Sequence, residues 1–516
     1  MATASNTNNP QGELVTAVVS PRSLGGVSLF DASEQDIAQH ADNFRSAPED
    51  IRDSVKELQR LGFTVHSTSE ATISISGEKR LFEDVFSKKL KKEKVAQAAG
   101  PEIEFYATAD QTVLQAPGDL ANLIEGVALA QPPTFFATSP LPPLAAVAAG
   151  AYRYLFAPDE VALLLRATRT HRTGATGRGI KVAMADTGFY KHPFYNEHGF
   201  RTLTALLAAG ASNANTDEVG HGTGEAANIF ATAPDITLQP IKMGDPIDSI
   251  KLARTSGAQV ITNSWGYDID RGSITWGTLS PYLKALAQEV QLCINAGISV
   301  CFSAGNGHYS FPASMPGVVA VGGVHVNYPD LTFEASNYAS SFVSKIYPGR
   351  KVPDVCGLVG KAVNIDGIKA PSIMLPVQPG SSLDQISPST GSTEDGWGIF
   401  SGTSAASPQI AGICALMLEK DATLTPAKIK ENLIKSARDV QSGSSAMGDV
   451  AGVGNDLATG AGLADAKWAY LISMSGVAAR FFEASRDEKV AMISSGQMPQ
   501  LPPEFMNDLI DTLRSV

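Results

Sequence analysis

Alternation of apolar strands with helices in the second two thirds of the chain constrains its fold most strongly. Between residues 155 and 475, near-continuous apolar runs of strand length are separated by segments with helical spacing. Strands that are apolar along their whole length are typical of a parallel sheet covered by helices on both faces. The runs predicted as strands are 180–185, 236–241, 258–262, 298–302 and 318–324. The pattern therefore predicts a three-layer α/β fold with a mostly parallel central sheet, in which functional residues gather at the carboxyl ends of the strands.

The first part of the chain follows a different pattern. Residues 13–130 read as strand, helix, strand, strand, helix and strand, with the second helix at 79–90 and the last strand at 102–108, which predicts a small α+β sandwich. Residues 1–12 are polar and are expected to be disordered. Residues 131–154 are rich in proline and alanine, which predicts a linker that carries a processing site, and residues 476–516 are expected to form a C-terminal helical tail.

Composition excludes some classes of partner. The formal net charge of -12 argues against a nucleic-acid-binding protein, whose surface would be basic. No run of about 18 apolar residues predicts a membrane span, so no membrane partner is expected. The N-terminus shows no basic segment followed by an apolar one, as a standard signal peptide would. We therefore expect a cytoplasmic protein, or one exported by a route without a standard signal peptide.

Four cysteines are spread through the second half without metal-ligand spacing. We interpret them as small buried apolar residues in a reducing compartment, although a Cys293–Cys301 disulfide stays an alternative.

A serine in the segment Ser401–Pro408 has the setting of a nucleophile. Ser404 follows a glycine turn and precedes the apolar run 410–418, which reads as a buried helix. A serine at the start of such a helix can point its oxygen into a cleft that the N–H groups of the helix N-terminus also face.

Three other polar residues follow strands or glycine turns upstream. Asp186 ends the strand 180–185 and precedes Thr-Gly, which also fits a turn or N-cap aspartate. His221 lies between two glycines before a helical run, where the backbone can approach closely and the imidazole can move a proton near neutral pH. Asn306 follows the strand 298–302; it fits a turn residue, or a side-chain amide that donates to an oxyanion.

The order Asp186, His221, Asn306, Ser404 is that of the subtilisin class of serine proteases, which the chain resembles over residues 155–472. The matching segments are Ala-Asp-Thr-Gly at 185–188, His-Gly-Thr at 221–223, Ser-Ala-Gly-Asn at 303–306 and Gly-Thr-Ser-Ala-Ala-Ser-Pro at 402–408. The resemblance implies that Ser404 is the nucleophile, His221 the base and Asp186 the residue that orients it, with the Asn306 amide in the oxyanion hole.

The resemblance also implies a binding cleft for a protein or peptide substrate. Ser264, Trp265 and Gly266 would pair with the substrate backbone as an added strand, and Ser303, Ala304 and Gly305 would form the other wall of the primary pocket. The alternative for residues 264–266 is a turn at the end of a strand.

The sedolisins are a rival family with the same fold and a Gly-Thr-Ser motif. They use glutamate as the base and aspartate at the oxyanion position, so His221 and Asn306 favour the subtilisin side. Residues 13–130, however, resemble a sedolisin-type propeptide in Leu-Gly-Phe-Thr-Val at 61–65 and Ile-Ser-Ile-Ser-Gly at 73–77. Propeptides of both families share a ferredoxin-like fold and act as folding chaperones and inhibitors. The resemblance therefore implies a ferredoxin-like fold for residues 13–130, and it implies that the chain's own N-terminal domain, or a separate inhibitor protein, restrains it.

These features predict a serine endopeptidase made as a self-processing zymogen that needs no cofactor for its chemistry. Structural calcium is common in the family, and Asp449, Asn455 and Asp456 could supply oxygen ligands. A binding protein without chemistry and a peptide ligase that transfers the acyl group to an amine are the alternatives.

Overall fold

The computed structural model describes nine stretches of the chain and four isolated positions near its C-terminus. The stretches are residues 13–97, 101–135, 154–269, 273–328, 330–362, 369–370, 373–384, 394–400 and 402–473. The segment 1–12, most of the expected linker 131–154 and nearly all of the expected tail 476–516 lie outside the described residues.

The N-terminal unit is an antiparallel sheet with two of its three helices packed on one face and the first helix packed on the larger domain. Its strands are β1 Leu14–Pro21, β2 Thr64–Thr68, β3 Ile73–Glu78, β4 Lys91–Val95, β5 Ile103–Ala107 and β6 Ile124–Leu129. Its helices are α1 Glu34–His40, α2 Pro48–Arg60 and α3 Lys79–Phe86. The sheet order is β2-β3-β1-β6, which is the ferredoxin-like arrangement.

Strand β1 is largely apolar because both faces of this sheet are covered. Val15, Ala17 and Val19 join the core of the N-terminal unit, and Val18 faces the other way into the core of the larger domain. The strand expected at 102–108 is present as β5, but it pairs with β4 as a separate hairpin and β6 closes the sheet. Strand β4 consists mostly of charged residues, so its sequence lacks the apolar alternation that is typical of a strand. Lys92 of β4 instead forms an ion pair with Glu104 of β5 across the hairpin.

The larger domain is built on a central sheet with the order β10-β12-β9-β13-β15-β17-β18, in which β21 also pairs with β17. All pairs of this sheet are parallel except β17 with β18. Its strands are β9 Lys181–Asp186, β10 Arg201–Thr202, β11 Leu206–Leu207, β12 Thr237–Lys242, β13 Val260–Asn263, β15 Ser299–Ser303, β17 Val319–Asn327, β18 Thr332–Ala335 and β21 Val355–Leu358. This arrangement confirms the predicted α/β fold.

Helices cover both faces of this sheet, as its apolar strands require. Along β9, Val182 and Met184 face one core, and Ala183 and Ala185 face the other. The helices on the first face include α7 His221–Thr232 and α10 Thr403–Lys420, and those on the second are α8 Pro246–Thr255 and α9 Pro281–Asn295.

Shorter elements complete the domain. The further helices are α4 Asp159–Leu164, α5 Ala167–His171, α6 Pro193–Glu197, α11 Pro426–Ser436 and α12 Ala466–Ile472. The further strands are β7 Thr134–Phe135, β8 Leu155–Phe156, β14 Trp265–Asp268, β16 Ser310–Phe311, β19 Phe342–Val343, β20 Lys351–Val352, β22 Lys361–Ala362, β23 Lys369–Ala370, β24 Ile373–Pro376 and β25 Trp397–Phe400. All four cysteines are buried free thiols. Among the described residues, none of the helices combines the length and the apolar character that crossing a bilayer would take.

The N-terminal unit docks on helices α8 and α9 of the larger domain. Arg254 of α8 holds the Glu70 carboxylate with two hydrogen bonds of 2.7 Å. In α9, Glu289 accepts from Thr72 Oγ1 at 2.7 Å, and Gln288 donates to the Ala41 carbonyl at 2.9 Å. The two units are therefore joined by charged and polar contacts as well as by the apolar face of the small sheet.

Candidate active site

Asp186 and His221 form a buried pair at the carboxyl edge of the central sheet. Asp186 is the last residue of β9 and His221 the first residue of α7, and His221 Nδ1 lies 2.6 Å from Asp186 Oδ1. Both side chains are fully buried. Burial opposes the charge on His221, but the carboxylate and hydrogen bond of Asp186 outweigh it and raise the pKa of His221 to about 9. Asp186 therefore fixes the orientation of the ring and favours its protonated form.

Two glycines let the start of α7 approach β9 this closely. Gly220 caps the helix with φ near +88°, a conformation that favours glycine. A Cβ on Gly222 would lie 2.3 Å from the Gly188 carbonyl oxygen and 2.9 Å from Asp186 Cβ. A larger residue at position 222 would therefore push His221 away from Asp186.

Asp217 is a buried residue of the site that the sequence analysis missed. Its carboxylate accepts from Gly220 N at 2.9 Å, from both the backbone N–H and the hydroxyl of Thr223 at 2.7 Å, and from Thr187 Oγ1 at 2.7 Å. A carboxylate at this end of a helix satisfies N–H groups that have no partner within the helix. Asp217 thus anchors the turn that carries His221. The sequence feature that could have indicated this role is an aspartate six residues before a threonine in the first turn of α7.

Ser404 lies in the first turn of α10, as the sequence predicted. Pro408 has no N–H to donate to the Ser404 carbonyl four residues earlier, and Ser264 Oγ donates to that carbonyl instead, at 2.9 Å. Ser404 also lies close enough to Glu225 of α7 for its hydroxyl to lower the pKa of that carboxyl. The helix start that holds Ser404 is therefore fixed by Ser264 and lies against α7, one turn from His221.

Asn306 is attached to the same helix start. Its Oδ1 accepts from Thr403 N at 2.9 Å and from Thr403 Oγ1 at 3.1 Å, and Thr403 Oγ1 accepts from Gly305 N at 3.1 Å. These bonds turn the Nδ2 end of the amide away from Thr403. Ser303 and Ala304 are buried and continue β15 toward Asn306, so the predicted wall residues 303–305 join the sheet to the site.

The Nε2 atom of His221 faces a second carboxyl. It has no hydrogen-bond partner and lies 3.7 Å from Glu225 Oε1. Both side chains are fully buried, and the ring of Phe135 lies over His221 with centroids 5.8 Å apart. Nothing in the sequence marks Glu225 as a site residue, because a glutamate within an apolar helix has no recognised spacing.

The segment that follows the N-terminal unit lies along β14 as an added strand. β7 pairs with β14 in antiparallel register, with Phe135 opposite Trp265 and Thr134 opposite Gly266. Tyr267 OH donates to the Gln131 carbonyl at 2.7 Å. The Trp265 side chain itself is buried, and its Nε1 donates to the Ala185 carbonyl at 3.0 Å. In the predicted binding segment 264–266, Trp265 and Gly266 thus belong to a strand that pairs through its backbone, and Ser264 precedes that strand.

The residues considered for calcium do not fit a metal site. Asp449 Oδ2 accepts from Ser341 Oγ at 2.5 Å, and Asp456 accepts from the backbone N–H groups of Gly452 and Thr459 at 2.8 Å. These carboxylates satisfy protein donors. Across the described part of the chain, no group of three or more histidine, cysteine, aspartate or glutamate side chains could hold a metal ion.

Comparisons with known proteins agree with this fold. A crystal structure of fervidolysin from Fervidobacterium pennivorans, described as a keratinolytic enzyme related to subtilisin, is similar with a TM-score of 0.51 and 18% identity. The similarity covers 91% of this chain and 62% of that one, and it concerns the fold.

Sequence relatives include subtilisin NAT from Bacillus subtilis subsp. natto and subtilisin E from Bacillus subtilis strain 168. Each is 28% identical over 290 residues, which cover 53% of this chain and 64% of the relative. The chain thus spans less than two thirds of the length of these relatives. The sequence model of the subtilase family matches residues 177–462, which is more than half of the chain and holds all four predicted catalytic residues. The chain belongs to the subtilase family.

Proposed function

We propose that this protein is a serine endopeptidase that cleaves peptide bonds through an acyl-enzyme. The observation that carries the proposal is the buried His221–Asp186 pair, with Nδ1 and Oδ1 2.6 Å apart, beside a helix N-terminus that presents Ser404. Family membership supports the same activity.

In the proposed mechanism, His221 Nε2 takes the proton of Ser404 Oγ as that oxygen attacks the scissile carbonyl. The imidazolium then gives this proton to the leaving amine, and a water repeats the cycle to release the acid product. Asp186 stabilises the charged ring through Nδ1, which fits the raised pKa of His221. Asn306 Nδ2 and the Ser404 N–H would donate to the oxyanion of the tetrahedral intermediate.

Substrate would bind where β7 now pairs with β14. An extended peptide in that place gains main-chain hydrogen bonds from an existing strand. We propose that residues 131–135 act as an inhibitory segment along β14, and that the bond cut in self-processing lies between about Phe136 and Leu155. The N-terminal unit would then be the protein's own inhibitor. A separate inhibitor and the cytoplasmic location stay predictions.

The test compares wild type with Ser404→Ala by N-terminal sequencing and by hydrolysis of an unfolded protein such as casein. Wild type should yield two fragments with a new N-terminus after residue 135 and should degrade casein, and Ser404→Ala should stay intact and inert. Intact wild type without casein hydrolysis would contradict the proposal. Product masses that lack one water relative to hydrolysed peptide would identify a peptide ligase instead.

A further inference from the structure

Glu225 is an ionisable residue at the centre of the site that has no role in the proposed triad mechanism. It lies one helical turn after His221 on α7, so the two side chains share one face of the helix. Its side chain is fully buried. Burying a carboxyl is costly unless hydrogen bonds or charges compensate, so the position calls for an explanation.

One oxygen of Glu225 is held by a chain of amides. Asn228 Nδ2 donates to Glu225 Oε2 at 2.9 Å, and Gln409 Nε2 of α10 donates to Asn228 Oδ1 at 3.1 Å. Gln409 is itself fixed by both backbone polar groups of Leu358, at 2.7 and 3.0 Å. The carboxyl therefore has a fixed position, set by α7, α10 and β21 together.

The other oxygen faces the reacting atoms. Glu225 Oε1 has no hydrogen-bond partner and lies 3.7 Å from His221 Nε2, which has none either. Ser404 lies near the same carboxyl. The atom that must take the serine proton is therefore flanked by an unsatisfied buried acceptor, while Asp186 holds the opposite side of the ring.

We propose that Glu225 is a positioning residue of the catalytic centre, which holds a proton on His221 Nε2 in the resting enzyme and so competes with Ser404 for the base. The inference rests on the proposed function. Chemistry then begins only in molecules whose Nε2 has lost that proton to solvent, after which the proton of Ser404 passes to Nε2 and on to the leaving amine. Glu225 gains and loses no proton over the full cycle.

The surrounding charges agree with this role. Burial raises the pKa of Glu225 to about 8 against the opposing effect of His221, and Glu225 adds to the carboxylates that raise the pKa of His221. The two groups thus share protons as a pair. The other ionisable groups that face them are Asp186 at the end of β9, Asp217 before α7 and the phenol of Tyr195 on α6.

The test measures kcat/KM against pH for self-processed wild type, Glu225→Gln and Glu225→Leu on a small peptide substrate. Without the carboxylate, His221 loses its proton at lower pH. The midpoint of the acid limb should therefore fall by about one pH unit, the order expected for a charge within about 4–6 Å. The rate of fluorophosphonate labelling of Ser404 should show the same shift. Glu431→Gln, on the exposed side of α11, is the matched control and should leave the midpoint unchanged.

The outcomes separate this inference from the proposed function. A loss of structure alone would lower activity at every pH without moving the midpoint, and that result would overturn the inference. An inert wild type would overturn the proposed function as well. Leucine suits a buried site, so a failure of both variants to fold would show that the fold requires this carboxyl and would also overturn the assigned role.

Discussion

The charge state of His221 depends on groups that reach it from three elements. Asp186 holds Nδ1 from the end of β9, and Glu225 faces Nε2 from the next turn of α7. Asp217 contributes a third negative charge to the raised pKa of the ring. Because a general base must be unprotonated, activity should be lost as pH falls through the His221 pKa and should rise on the alkaline side.

Replacing Asp186 with asparagine should nearly abolish activity and leave the fold intact. Asparagine keeps the shape but can hold the imidazole in the wrong tautomer, and it removes the charge that favours the imidazolium. The rate constant kcat should fall by about four orders of magnitude. Circular dichroism should be unchanged, and a variant that retains wild-type kcat would show that Asp186 is not the orienting residue.

Replacing Asn306 with alanine should slow the chemical step while substrate binding is preserved. Loss of one oxyanion donor costs about 100- to 1000-fold in kcat, and KM should change little. Asn455→Ala, at an exposed position of the same domain, is the control. An equal loss in both variants, or a change confined to KM, would argue against an oxyanion role for Asn306.

At the scale of elements, the packing of α7 on β9 decides the geometry of the triad. Gly222→Ala would place a methyl group 2.3 Å from the Gly188 carbonyl oxygen, so the helix must move. We expect kcat/KM to fall about 100-fold, the effect of misplacing a catalytic group by roughly 1 Å. Gly452→Ala, whose Cβ would meet no atom within 4 Å, is the control. Wild-type kcat/KM in Gly222→Ala would contradict the account of the close approach.

The elements that the sequence predicted correctly are those with a strong apolar pattern. β9, β12, β13, β15 and β17 were found within two or three residues because both of their faces are buried. Strand β4 was not predicted, because its charged residues leave no apolar period, although its partner β5 was expected at 102–108. The predicted helix 79–90 ends at Phe86 because Ser87 adopts a left-handed conformation. The spacing of the apolar residues does not indicate that conformation.

The residues of the site also divide into those that the sequence predicted and those that it did not. Asp186, His221, Asn306 and Ser404 stand in local segments with glycine turns, which a single sequence reveals. Asp217 and Glu225 act through contacts with groups on other elements, and their setting depends on how α7, α10 and β9 pack together. Such residues become visible only when the fold is known.

At the scale of the whole molecule, the N-terminal unit and the catalytic domain form one continuous packing arrangement. β7 covers the cleft at one end of their contact, and Glu70 with Arg254 secures the other. If self-processing cuts the chain between the two units, as proposed above, we expect these non-covalent contacts to keep the units together and the release of the N-terminal unit to control activity.

Replacing Glu70 with alanine should weaken this docking. The loss leaves Arg254, whose side chain is largely buried, with one carboxylate partner, Glu289, at 3.6 Å. We expect the N-terminal fragment to dissociate at least about tenfold more readily, corresponding to about 1.4 kcal/mol. Size-exclusion chromatography of the self-cleaved protein measures this. Glu57→Ala removes an ion pair within α2 and should have no such effect.

Acid should weaken the same contact. Burial disfavours the Glu70 charge, but its hydrogen bonds to Arg254 outweigh burial and lower its pKa. A lowered pKa means that the contact is kept above the ordinary value for glutamate and is lost as pH falls through the lowered one. Fragment retention that is unchanged into strongly acidic buffer would contradict this assignment.

The central claim is that Ser404 is an activated nucleophile, and covalent labelling tests it most directly. Self-processed wild type is treated with a fluorophosphonate, digested and analysed by mass spectrometry. We predict one adduct, on the peptide that contains Ser404, and its absence in both Ser404→Ala and urea-unfolded wild type. Absence of an adduct on native, processed protein, or an adduct on another serine, would contradict the account.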